Sequence, residues 1–396
     1  MTSGQDRHAP SPPPTPLPST PLTSATTRSS EPARRVGGVA HVMHAFDIGF
    51  QVDLDAAEGL VREASRLRVT RTRRPSPEWF DYTPAPLRVV LEGAPVEVGG
   101  VRTDATVDVL VYDFGAALVT HRLTIEHDLG ALPDVSVALY RDESIEADAR
   151  EHMKRLLATM APSVERGRLD DDVEDYVVFA LERWPDGVSP ADLLGEQRLT
   201  IARTIEAEAG GLSEAQALRT TEGAMSYAAD DLAVIDWNAS VLFDREAEDV
   251  IGVLQHANIE LLELRTLDRE LDAILDHADE TLGAVVSSRF YPSFGAGRML
   301  RRFASVQTDT AVMFEGVNNA IKLYGNQYLA RVYRLAAERL DLPSWQESVA
   351  RKLEATESLY SKVSDVTATK RLETLEWVII ILIAVSIVLP FTPLYK

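Results

Sequence analysis

The sequence predicts an α+β fold: an N-terminal domain built on a mixed or antiparallel sheet, then long coiled-coil-like helices, then a C-terminal transmembrane helix. Three observations favour this class. Strand-like and helical segments alternate up to residue 244, heptad spacing replaces them from residue 245, and the chain closes on an apolar run. The predicted domains are a disordered Pro/Ser/Thr-rich tail (1–38), an α+β domain (39–244), a helical hairpin or coiled coil (245–371) and a membrane anchor (372–396).

Strand and helix signals alternate through the α+β domain. Alternating apolar residues predict a first strand from Phe46 to Leu54 and, after it, a helix over 55–67. Further strands are predicted over 87–91, 106–114, 116–125, 176–181, 224–227, 232–236 and 239–243, with helices over 145–160 and 190–209. Asp113-Phe114-Gly115 and Trp237-Asn238 are predicted as hairpin turns. The rhythm of these elements is compatible with two ferredoxin-like halves.

Long helices follow, with apolar residues at alternating spacings of three and four. The leucines predicted to associate helices are Leu254, Leu261, Leu264, Leu271 and Leu275. A second helix is predicted over 297–340, and a third begins at Ser344. A coiled coil between copies and an intramolecular bundle both fit this spacing. Self-association into a homo-oligomer is expected and is compatible with either arrangement.

The apolar run at the C-terminus predicts a membrane anchor. Its anchor residues are Trp377, Val378, Ile379, Ile380, Ile381, Leu382, Ile383 and Leu389, flanked by the charges of Lys370, Arg371 and Glu376. From Trp377 to Leu389 a helix rises only about 20 Å, so a buried or interfacial helix competes with a spanning one. Aromatic residues at its edges and the basic residues before it favour a span with the bulk of the chain in the cytoplasm.

Three segments resemble a known family. Leu375–Ile383, Asp231–Ala239 and Ala257–Arg265 are similar to the required-for-meiotic-nuclear-division (YagE) family, domain of unknown function 155, in its bacterial branch. The resemblance covers roughly residues 40–396. It implies an α+β protein with a terminal membrane helix that oligomerises, and mitochondrial relatives that support translation. It implies no catalytic residues.

Composition limits the partners. With 40 Lys+Arg against 61 Asp+Glu the net charge is −21, which opposes bulk nucleic-acid binding. Cysteine is absent, which excludes disulfides and thiolate chemistry. One basic cluster is a candidate for an anionic partner such as RNA, the ribosome or lipid headgroups, with a solvated surface as the alternative. Its residues are Arg62, Arg66, Arg68, Arg71, Arg73 and Arg74.

No other motif predicts chemistry. The acidic run over 170–175 is interpreted as a solvated loop, because it lacks the spacing of a calcium loop. The histidine pairs at residues 41 and 44 and at 121 and 127 lack a zinc motif. We therefore predict no catalytic, cofactor or metal site. The predicted function is a non-enzymatic, tail-anchored scaffold at the bacterial inner membrane, with a membrane-tethered ribosome adaptor as the alternative.

Overall fold

The computed structural model describes residues 34–61, 64–66, 84–287 and 327–388. They form a large sheet with helices on both faces. The strands are β1 (Arg35–Asp47), β2 (Gln51–Val52), β3 (Ala64–Arg66), β4 (Leu87–Glu92), β5 (Glu97–Val98), β6 (Val101–Val111), β7 (Ala116–Asp128), β8 (Val164–Glu165), β9 (Val173–Arg183), β10 (Leu232–Ile235) and β11 (Ala239–Phe243). The helices are α1 (Leu54–Leu60), α2 (Leu132–Arg141), α3 (Ser144–Met160), α4 (Pro190–Ile205), α5 (Glu214–Glu222), α6 (Glu248–Ser287), α7 (Gln327–Arg339) and α8 (Leu342–Val388).

Most of the strands form one continuous sheet. Its strand order is β10-β11-β9-β1-β7-β6-β4-β3, with β5 paired to β6. Neighbouring strands are antiparallel except β9 and β11, which run parallel. The central strand β1 pairs with β7 and β9, so that Ala45 lies opposite both Leu118 and Glu174. The α+β class is confirmed, whereas two ferredoxin-like halves are wrong, because one continuous sheet contains these strands.

Side chains alternate between the two faces of the sheet, and different helices cover each face. Met43, Ala45 and Leu118 share a core with α6, α7 and α8, and we call this side the α6 face. Phe46 and Val119 share a core with α3, and we call this side the α3 face. Farther along the α3 face, α2 and α4 cover a third group of buried apolar residues. Helix α6 therefore lies between the sheet and two further helices.

The Asp113-Phe114-Gly115 tripeptide lies in the turn between β6 and β7, as predicted. Gly115 has a φ of +94°, and a Cβ at this position would lie 1.8 Å from the carbonyl oxygen of Gly49. Its own carbonyl accepts a bond of 2.9 Å from the Ile48 amide. Only glycine allows the turn to approach the end of β1 this closely.

The leucines predicted to associate helices pack against other parts of the same chain. Leu254, Leu264 and Leu271 are buried in the core between the sheet and the helices, and Leu261 packs against that core. Leu275 is half-buried. This arrangement agrees with the intramolecular bundle. Association of copies through the same leucines is not tested by one chain and stays a prediction.

The predicted transmembrane helix is wrong. In the part of the chain that the structure describes, none of the helices combines the length and the apolar character that a membrane crossing requires. The apolar stretch from Trp377 to Val388 is the end of α8, and the same helix carries charges at Arg371, Glu373 and Glu376 just before it. Twelve helical residues rise about 18 Å, against roughly 30 Å of hydrocarbon. Leu389 lies outside the described residues.

This correction extends to the function and location predicted from the anchor. The apolar side chains Trp377, Val378, Ile379, Ile380, Ile381, Leu382 and Ile383 belong to a helix that does not qualify as a span, and Lys370, Arg371 and Glu376 lie within it. A single-pass inner-membrane location, a tail-anchored scaffold and a membrane-tethered adaptor are therefore all contradicted.

Candidate functional site

Helix α6 carries an unusual concentration of buried polar side chains. His256, Asn258, Glu260, Glu263 and Thr266 each expose 4% or less of their surface. The sheet covers one side of this helix, and α7 and α8 cover another, so residues around most of its circumference are buried. Burial of a polar group costs free energy unless a partner is provided. We call these five residues and their partners the polar seam.

Glu260 is the most connected residue of the polar seam. Its Oε2 accepts a bond of 2.6 Å from the Tyr333 hydroxyl of α7, and its Oε1 accepts one of 2.9 Å from Nε2 of Gln346 in α8. One carboxyl group thereby joins three helices. Burial raises the pKa of Glu260 to about 7, although both hydrogen bonds oppose the increase.

Glu263 and Asp47 form a second part of the polar seam. Burial raises the pKa of Glu263 well above its ordinary value, and the nearby charges of Asp47 and Glu270 raise it further. Burial also raises the pKa of Asp47 to about 6, against the hydrogen bond it accepts from the Gly49 amide. No described residue forms a hydrogen bond with Oε2 of Glu263. Burial thus favours the neutral form of both acids relative to an exposed carboxyl group.

Ion pairs tie α6 to the elements on either side. Arg265 approaches Glu174 of β9 at 2.6 Å and also lies over the ring of Trp345, with 5.7 Å between the guanidinium carbon and the ring centroid. The pKa of Glu174 is nevertheless raised, because its burial outweighs the attraction of Arg265. Lys352 of α8 lies 2.8 Å from Asp268 of α6. These contacts hold the helices in register with the sheet.

The α3 face buries bases instead. Asp148 of α3 lies 2.9 Å from Nε2 of His121 and 3.4 Å from Nε2 of His152. His44 lies on the same face, and burial lowers its pKa to about 3. Burial also lowers the pKa values of His121 and His152, against the attraction of Asp148. All three rings are at most 6% exposed, so a substrate has no access to them.

The remaining predicted features are distributed over the molecule. Arg66 lies in β3, whereas Arg62, Arg68, Arg71, Arg73 and Arg74 fall outside the described residues, so the anionic-partner patch stays a prediction. Trp237 lies in the turn between β10 and β11 and is 54% exposed. Among the described side chains, no group of three or more histidines and acids is arranged to hold a metal ion.

An open cleft lies near the ends of β2 and β8. It has a volume of about 640 Å³, and Asp53, Asp55, Asp113 and Glu165 give its walls an acidic character. The carboxylate of Asp53 caps the first turn of α1, where it accepts hydrogen bonds from two backbone amides. Within the described part of the chain, these acids show no arrangement that would identify a reaction.

The apolar end of α8 is the largest exposed hydrophobic surface in the described chain. Its large side chains are between 46% and 65% exposed: Leu372, Leu375, Trp377, Val378, Ile379, Ile380, Ile381, Leu382, Ile383, Val385 and Ile387. Together they expose on the order of 1,000 Å² of apolar surface, above the few hundred Å² usual for a monomer. We call these eleven residues the α8 tip. Sequence reasoning found its residues and gave them the wrong role.

Comparison with known proteins corrects the family prediction. The model of the family described as "Uncharacterized protein MJ0711, N-terminal domain" matches residues 37–249, which is more than half of the chain. An uncharacterized protein of Methanocaldococcus jannaschii, MJ0711, is 19% identical over 194 residues, covering 48% of this chain and 58% of that relative. No solved structure matches. The resemblance to the YagE family is therefore wrong.

Proposed function

We propose that this chain, which belongs to the MJ0711 N-terminal domain family, is an assembly module whose copies associate through the α8 tip. The observation that carries the proposal is the exposure of eleven large apolar side chains on one helix. A helix that is apolar on all sides is normally buried. Its exposed area is of the order of the roughly 800 Å² that each partner contributes to a stable interface.

The spacing within the α8 tip favours a second copy of the same helix as the partner. Leu372, Leu375, Ile379 and Leu382 recur at intervals of three, four and three residues. This is the spacing of a coiled-coil seam, in which each apolar side chain enters a gap on the facing helix. The buried leucines of α6 cannot serve in this way without separating the intramolecular core.

The test compares two pairs of substitutions within the α8 tip. Ile379→Glu with Leu382→Glu places charges in the seam, and we expect the native mass in detergent-free buffer to fall from a multiple of 43.6 kDa to that of one chain. Trp377→Glu with Ile381→Glu places the same charges on the opposite side of the helix, where we expect the multimer to persist. Static light scattering measures both masses.

A third variant controls for the general effect of a new surface charge. Leu218→Glu alters a leucine of α5 that is 54% exposed, as is Ile379, and it leaves α8 unchanged. Its mass should equal that of the unmodified chain. A single-chain mass for the unmodified protein would overturn the proposal, and so would equal dissociation by both pairs within the tip.

A further inference from the structure

The apolar stripe that continues through the α8 tip has a defined heptad register. If Leu372 takes position a of a heptad, whose seven positions run from a to g, the other members of the stripe are Leu375 and Leu382 at d and Ile379 and Ser386 at a. We call these five residues the tip seam, and all five are exposed in a single chain. Isoleucine at a between leucines at d is the combination that favours two parallel strands.

Two charged positions flank the tip seam where it begins. Arg371 takes position g, and Glu376, which is exposed, takes position e. In a parallel pair, position g of one helix lies beside the following position e of the other, and the charges at these positions set the orientation of pairing. Both flanks of a parallel pair therefore unite an arginine with a glutamate. An antiparallel pair faces g with g and e with e, so neither ion pair can form.

Ser386 is the one polar residue of the tip seam. Its hydroxyl donates a hydrogen bond of 2.7 Å to the carbonyl oxygen of Ile383 in the same helix. Burial of a hydroxyl is costly mainly when it is left without a hydrogen bond, so Ser386 can enter an interface without a donor or acceptor from the other copy. In a parallel pair in register, position 386 of one copy faces position 386 of the other. In an antiparallel pair, position a faces position d instead.

We infer that two copies pair through the α8 tip in parallel and in register, with Arg371 of each copy beside Glu376 of the other. This orientation rests on the proposed assembly and adds to it. A parallel pair places both sheets at the same end of the paired helices, whereas an antiparallel pair separates them. The assembly is then a two-headed module that presents two copies of each exposed surface at one end. A target that binds both heads gains affinity, because the second contact forms at a high effective concentration.

Cysteine cross-linking tests the orientation, because the full-length chain has no cysteine of its own. In a parallel pair, equal positions of the tip seam face each other. Oxidation of Ser386→Cys, or separately of Leu375→Cys, should therefore give a covalent pair of twice 43.6 kDa on a non-reducing gel. Ile387→Cys lies at the outward position b and is the matched control. It should cross-link at least about tenfold more slowly, since its side chains point apart.

Charge exchange tests the two ion pairs. Arg371→Glu and Glu376→Lys each place like charges on both flanks of a parallel pair, so each variant alone should pair more weakly than the unmodified chain. Mixed in equal amounts, the two variants recover both attractions, and we expect the ratio of mixed to like pairs to rise about fivefold above the random value. Native mass spectrometry with one variant isotopically labelled measures this ratio. A chain carrying both exchanges is complementary to itself and should pair as the unmodified chain does.

Failure of the orientation and failure of the assembly give different results. The parallel pair is overturned, with assembly intact, by a multimer in which neither Ser386→Cys nor Leu375→Cys cross-links faster than Ile387→Cys. A random ratio of mixed to like pairs would overturn the contact between Arg371 and Glu376. A single-chain mass for the unmodified protein would overturn both the assembly and its orientation.

Discussion

The two faces of the sheet bury opposite kinds of titratable group. The α6 face contains mainly acids, and burial raises the pKa values of Asp47, Glu260 and Glu263, although one base, His256, is buried there too. The α3 face contains bases, and burial lowers the pKa values of His44 and His121. In both cases the neutral form is favoured. The buried acids are therefore concentrated on one side of the sheet, and the group of three buried histidines lies on the other, although the same physical cause acts on each.

The difference between the faces also concerns what the polar groups connect. On the α3 face, Asp148 contacts two histidines, one from the sheet and one from its own helix. On the α6 face, Glu260 accepts hydrogen bonds from side chains of two other helices. A proton change on the α3 face therefore alters one contact between helix and sheet. A proton change at Glu260 acts on a group that is bonded to two other helices.

The largest effect is expected at His44. Its pKa is lowered from 6.5 to about 3, so its stabilisation is complete above pH 6.5 and declines as pH falls toward 3. His44→Leu removes the base, and Nδ1 has no hydrogen-bond partner among the described residues to lose. We expect this variant to gain about 3 kcal/mol in free energy of unfolding at pH 4, relative to its difference from the unmodified chain at pH 8.

Denaturant unfolding at both pH values measures this gain. His127→Leu, which changes a half-buried histidine at the far end of β7, is the matched control for exchanging a histidine of the sheet for leucine. Equal changes at both pH values for His44→Leu would contradict the assignment of acid sensitivity to this face.

A slightly smaller gain, in alkali instead of acid, is expected at Asp47. Its raised pKa, about 6 instead of 3.8, means that its stabilisation is complete below pH 3.8 and is lost as pH rises through 6. Asp47→Asn keeps an acceptor for the Gly49 amide, 3.0 Å away. We expect it to gain about 3 kcal/mol in unfolding free energy at pH 8 and little at pH 4.

The matched control for Asp47 is Asp134→Asn, at an exposed position in the first turn of α2. Its unfolding free energy should change by less than about 0.5 kcal/mol at either pH. A gain for Asp47→Asn that is largest in acid would reverse the comparison between the two faces.

The smallest effect is expected at Asp148. Asp148→Asn keeps the size of the side chain and removes the charge shared by His121 and His152. Because Asp148 is 25% exposed, we expect a loss of only about 1 kcal/mol in unfolding free energy at pH 7. Thermal unfolding beside Asp134→Asn measures the loss. A larger loss than the gain at His44 would show that the α3 face depends on its carboxylate more than on its neutral bases.

Local patterns predicted much of the sheet. Strand β11 has the predicted bounds, and β7 and β9 extend the predicted strands by a few residues. The predicted strand from Phe46 to Leu54 is wrong, because β1 ends at Asp47, whose carboxylate binds the Gly49 amide and ends the regular strand. The short helices α2 and α5 were missed: α5 has few apolar residues, and α2 is apolar but only ten residues long.

The burial of the polar seam could not be predicted from the sequence, because it depends on distant parts of the chain. In the sequence, Glu260 and Glu263 resemble the solvated glutamates that normally separate the leucines of a heptad repeat. They are buried because α6 has protein on several sides, which depends on where α7 and α8 pack. The partners of Glu260 lie 73 and 86 residues away, so no local spacing indicates them. The signal that was available is the density of polar residues within an otherwise apolar helix.

The length of helix α8 also fixes the position of the α8 tip. Among its described side chains, the last deeply buried one is Thr356, and the first large aromatic residue of the α8 tip is Trp377. A continuous helix between them rises about 30 Å. A partner bound at the tip is thus held at a fixed distance from Thr356, and each inserted residue would lengthen that distance by about 1.5 Å and turn the tip by roughly 100°. The length of this helix therefore sets both the reach and the direction of binding.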